Sequence, residues 1–213
     1  MSVAEGATQH RSIPDDRLTL ESRARRLAWG GNAWHLIEFA IALSAGIAAG
    51  SVALIGFGAD SLIEVFSGLV IAWLLTAGRG ASEDAERRAQ RLIAGSYFVL
   101  SAYIVFESLR DLIGGHHPHA SWVGIGLAAL TAVTMPMLAR AKRRVGTKLG
   151  SAATTAEAEQ NQICAYLSIA LLVGLLGNAL LGWWWADPAA ALVIAAVAAD
   201  EGRGAWRGDQ HCC

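Results

Sequence analysis

Asp60 and Glu64 are the first residues in this chain whose type and spacing could do chemistry. They stand four apart inside an apolar run, so a helix puts both carboxylates on one face. Asp60 lies nine residues into that run, about 13 Å deep at a rise of about 1.5 Å per residue. Ionisable groups at membrane depth cost roughly 2.5–3.5 kcal/mol each on insertion scales and so mark function. Two stacked carboxylates repel in a low dielectric. They are tolerable when a cation sits between them or one holds a proton. The plainer alternative is hydrogen bonding to neighbouring serines or backbone.

Other polar groups in apolar runs are few. Gln160 and Cys164 are also four apart, with Ser168 on the same stripe. A single cysteine in such a helix commonly serves as a small packing residue. His35 and Glu38 lie in the first run. Glu38 is about 15 Å deep by the same rise and could face a pocket, pair with another helix or carry protons. Glu107, near the far end of the third run, reads as a snorkelling or capping group.

The elements that position these residues are membrane helices. The chain has 213 residues, 54% apolar and 16% charged, against roughly 25% charged in ordinary soluble domains. A spanning helix needs about 20 mostly apolar residues. Six runs qualify or nearly so: 28–49, 51–77, 92–113, 122–139, from 157–163 to 181, and from 183–188 to 199. The last is the shortest and abuts an interfacial belt, Trp183-Trp184-Trp185. The first run is too long for a signal peptide and reads as a retained helix.

Arginine and lysine test this division. They crowd 11–26, 79–91, 140–148 and 203–207, and the connections between those segments are nearly bare. The positive-inside rule then places both termini and two loops in the cytoplasm. The expected fold is all-α, a polytopic bundle of six transmembrane helices, N-in and C-in. Residues 1–25 read as a disordered cytoplasmic tail, 26–206 as the membrane domain and 207–213 as a short cytoplasmic tail. A plasma (inner) membrane location is expected.

Several classes are excluded. Three cysteines, two of them terminal, make no disulfide framework. A net charge of −1 without a basic stripe gives nucleic acid no footing. No His-x-x-Glu-His or Gly-x-Ser-x-Gly run supports an enzyme.

The stretch GSVALIGFGADSLIEVFSG (50–68) resembles the second membrane helix of the cation diffusion facilitators, exporters of zinc and other divalent metals. That family pairs ligands as His/Asp-x-x-x-Asp, and Asp60 and Glu64 fall on the pair. SAATTAEAEQNQICAYLS (151–168) resembles the approach to its fifth helix, where Gln160 and Cys164 fall on a His-x-x-x-Asp pair. GWWWADPAAALVIA (182–195) is similar to the connection into its sixth helix. The resemblance runs from about residue 25 to 206 and is nearest to a short subfamily related to the vertebrate transmembrane protein 163. It stops before the cytosolic C-terminal domain usual in the family.

The resemblance implies a metal site of Asp60, Glu64, Cys164 and Gln160, with Glu38 and Glu157 as further candidates. It implies a divalent metal ion, zinc foremost, as transported substrate with no cofactor, moved outward in exchange for protons by alternating access. It also implies a homodimer in the lipid bilayer. Gln160 and Cys164 depart from the pattern: thiolate suits zinc or copper, whereas an amide oxygen is a poor ligand. The alternative is therefore a non-transporting, metal-binding regulator or partner subunit on the same scaffold. Metal capture by His116, His117 and His119, or by His211, Cys212 and Cys213, is open. So is close helix approach through Gly46-x-x-x-Gly50.

Overall fold

A computed structural model describes residues 13–76 and 83–207. It consists of six helices: α1 (Ile13–Ala49), α2 (Val52–Thr76), α3 (Glu83–Gly114), α4 (Trp122–Leu149), α5 (Ala152–Leu181) and α6 (Ala186–Arg207). Large apolar side chains face outward along their length, among them Ile47, Val99, Phe106, Val133 and Val173. Helices that are apolar outside as well as inside suit lipid and not water. The protein is a polytopic membrane bundle.

The helices outrun the apolar segments. The basic segment 140–148, expected as a loop, continues α4 until Gly150, whose φ of 64° caps the helix in the left-handed region. Ser151 then accepts from the Thr154 N–H and starts α5. Gly50, also at φ 64°, and Ser51 join α1 to α2 in the same way. Two helical hairpins, α1–α2 and α4–α5, are thus closed by two-residue Gly-Ser turns. Helix α1 begins at Ile13, so residues 13–25 are helical and not part of a disordered tail. An Arg17–Glu21 pair of 3.2 Å supports this extension at helical spacing. Residues 1–12, Arg79 and the His211–Cys213 tail lie outside the described residues.

Helix α2 occupies the middle, packed on α1, α3, α5 and α6. Small residues permit this. A Cβ on Gly46 would come within 2.8 Å of Ile55, and one on Gly58 within 3.1 Å of the Leu43 nitrogen. Gly46 therefore serves α1–α2 packing within the chain, whereas Gly50 lies against His116. On α5, a Cβ on Gly174 would stand 2.7 Å from that of Ala190 on α6.

Among the described residues, five helices are long and apolar enough to cross a membrane. The exception is α6, which carries Asp187, Asp200, Glu201 and Arg203. Its position makes up for its composition. Asp187 accepts from the Ser51 hydroxyl and the Ala53 N–H at the start of α2. Further along, the Ser101 hydroxyl on α3 donates to the Ala195 carbonyl, and Gly202 lies against Tyr97 and Phe98. Helix α6 thus runs antiparallel to α3 from one end of the bundle toward the other.

The 115–121 connection is held by contacts of its own. The His119 N–H donates to the Ala49 carbonyl over 2.8 Å, and His117 stacks on Trp184 at 5.1 Å. Among the described residues no metal cluster includes these histidines. Glu107 pairs with Arg110 one turn further along α3 at 3.0 Å, an ion pair within the helix and not a cap.

Candidate metal centre

Helix α1 presents one buried stripe, Gly31, His35, Glu38, Ala42, Gly46 and Ala49, spaced by three and four. It turns His35 and Glu38 inward toward α2, α4 and α5. His35 Nδ1 lies 2.8 Å from Glu64 Oε2 on α2 and 3.0 Å from Glu38 Oε2 on its own helix. The other Glu38 oxygen accepts from the Thr131 hydroxyl on α4. The other Glu64 oxygen accepts from Gln160 Nε2 on α5 at 3.0 Å, and that nitrogen is 3.5 Å from the Tyr97 hydroxyl.

Cys164 is fully buried and closes the cluster. Ligand atoms of His35, Glu64 and Cys164 all lie within 4.8 Å of one another. Nitrogen, carboxylate oxygen and thiol sulfur are the three donor types that bind zinc and its neighbours.

Three atoms of this cluster define its chemistry. His35 Nδ1, Glu38 Oε2 and Glu64 Oε2 are buried, with the one nitrogen at ion-pair distance from both carboxylate oxygens. Buried polar atoms are nearly always satisfied. An imidazole nitrogen carries at most one proton, and it faces two carboxylate oxygens. A cation bound among them satisfies all three.

A cavity of about 310 Å³ reaches this cluster from the end of the bundle where the α4–α5 turn lies. His35, Glu64, Tyr97, Gln160 and Asn161 form part of its wall, and Lys142, Glu157 and Asp200 stand further out. Glu38, Asp60 and Cys164 are not in the wall and are buried behind it. The site is thus open on one side and closed on the other.

Of the residues singled out in the sequence, Glu64, Gln160 and Cys164 come together, and Glu38 adjoins them through His35. Asp60 is buried one turn from Glu64, outside the His35–Glu64–Cys164 group. Gln160 points its amide nitrogen at the outer Glu64 oxygen. Glu157 is turned away to pair with the buried Lys142 at 3.1 Å. His35, Asn161 and Tyr97 were not among the predicted ligands. The signal for His35 was the three-and-four stripe of small residues on α1. Asn161 and Tyr97 had none, because their roles depend on how the helices pack.

A membrane bundle with a buried nitrogen, oxygen and sulfur cluster at the floor of a one-sided cavity has the build of a cation transporter. The chain belongs to the cation efflux family: residues 33–206 match the description Cation efflux transmembrane domain. A domain of this family moves ions and is not an enzyme. Among curated proteins no match to the chain is found.

Proposed function

We propose that the protein exchanges a divalent metal ion, zinc foremost, for protons across a plasma (inner) membrane, exporting the metal. The observation that carries this reading is the convergence of ligand atoms of His35, Glu64 and Cys164 within 4.8 Å of one another, with Glu38 Oε2 3.0 Å from the same imidazole nitrogen. His35, Glu64 and Cys164 supply three ligands. Glu38 is the nearest further oxygen, and Asp60, buried one turn from Glu64, is the further carboxylate of this reading.

Metal binding needs a deprotonated thiol and carboxylates and a free imidazole lone pair, so arrival of the metal expels protons. Reprotonation of the same atoms on the far side releases the metal. The open cavity is the metal-loading face, and it is cytoplasmic if the basic segment 140–148 obeys the positive-inside rule. Both termini then lie in the cytoplasm. A homodimer in the bilayer is part of the same reading.

Purified protein in liposomes loaded with a zinc-sensitive and a pH-sensitive dye tests the proposal. A zinc gradient drives zinc one way and protons the other, and Asp60→Ala and Glu64→Ala abolish both signals. One observation favours the alternative of a metal-binding regulator or partner subunit: Gln160, whose amide braces where the family pattern has a ligand. Tight zinc binding without flux of either ion establishes that alternative.

A further inference from the structure

The far side of the His35 ring is as constrained as the near side. Asn161 on α5 is 1% exposed. Its Nδ2 lies 3.4 Å from His35 Nε2 and 3.1 Å from Met135 Sδ on α4. Its Oδ1 is buried with no partner at all. An unsatisfied buried amide oxygen is costly, and here it belongs to the group that touches the imidazole.

Histidine chemistry gives that oxygen a use. While Nδ1 carries the ring proton, Nε2 is an acceptor and the Asn161 amide nitrogen donates to it, as the distances place it. When Nδ1 binds a metal ion it sheds its proton, the neutral ring takes one up on Nε2 instead, and that N–H needs an acceptor. Ligating histidines regularly donate their second N–H to such a partner, which fixes ring orientation and ligand strength. A half-turn of the Asn161 amide exchanges Nδ2 for Oδ1 and supplies it.

We propose that Asn161 is the positioning residue for His35. It holds the ring with Nδ1 toward Glu64 and Cys164, and its spare Oδ1 accepts the Nε2–H when metal is bound. Met135 Sδ, a weak acceptor, leaves the amide free to turn. This inference rests on His35 being a ligand, and the experiment separates the two.

Zinc titration of the full chain in detergent is measured for the native protein, His35→Ala, Asn161→Leu and Asn161→Asp, with thermal unfolding of each recorded without metal. Asn161→Leu weakens zinc binding by about 10- to 100-fold, the usual effect of losing such a partner. Asn161→Asp, a permanent acceptor of nearly the same shape, restores or exceeds native affinity. Nitrogen-15 histidine spectra of the zinc-loaded protein place the His35 proton on Nε2.

A residue that only packs would not be rescued by aspartate more than its unfolding temperature allows. Native affinity in Asn161→Leu, or an Asn161→Asp variant as weak as Asn161→Leu, overturns the proposal while leaving the metal site intact. Native affinity in His35→Ala removes the site reading itself.

Discussion

His35 Nδ1 on α1 stands 2.8 Å from Glu64 Oε2 on α2, and both atoms are sealed from solvent. The two residues are held in place by different partners: Asn161 behind the imidazole, and Gln160 on the outer carboxylate oxygen. In the exchange proposed above, a proton and a metal ion take turns between them. Competition for that gap is its basis.

Cys164→Ser exchanges a soft ligand for a weak hard one. Zinc affinity falls by at least about tenfold, or ~1.4 kcal/mol, and the preference for zinc over manganese narrows. Isothermal titration with each metal measures both. Cobalt-loaded native protein shows a sulfur-to-metal charge-transfer band that the variant lacks.

Zinc affinity rises with pH. Every proposed ligand must give up or lack a proton to bind, so a lower pH favours the proton-loaded form. Calorimetry in two buffers of different ionisation enthalpy reads the protons released per zinc. A release of none contradicts exchange at shared atoms.

Glu157→Gln leaves zinc affinity unchanged, because Glu157 is engaged by Lys142 and stands apart from the His35–Glu64–Cys164 group. It lowers the unfolding temperature, since the Lys142 ammonium loses its paired charge in a buried setting. A weakened zinc titration would restore Glu157 to the ligand set.

Gly174→Leu forces α5 from α6, where a mere Cβ already comes within 2.7 Å of Ala190. Overpacking of this kind costs about 1–3 kcal/mol. Thermal unfolding in detergent, followed by tryptophan fluorescence, detects the loss.

Much of this molecule is readable from its residues, for definite reasons. Apolar runs and Gly-Ser turns mark the hairpins because a membrane helix must be long and a two-residue turn needs a left-handed residue. Helix ends were harder. Arg140, Arg143 and Arg144 resemble a loop in charge, yet nothing in them stops a helix, and α4 runs on to Gly150. That Asp60, Glu64 and Cys164 are buried inside the bundle was legible from their spacing along single helices. The imidazole was not ranked with them because its value lies in which helix α1 faces. The tie of Glu157 to Lys142 was illegible for the same reason: it depends on how α4 sits against α5. Spacing within a helix is local information, and register between helices is not.

The tight Gly-Ser joints have a mechanical consequence. They leave each pair little room to slide internally, so a rocking motion of the proposed kind would carry each pair as one unit. His35 and Glu64 ride on one such unit and Cys164 on the other. In the exchange proposed above, parting the two units would strip the sulfur from the ion while the other two ligands stay together. The hold on the ion is a gauge of how far the seam has opened.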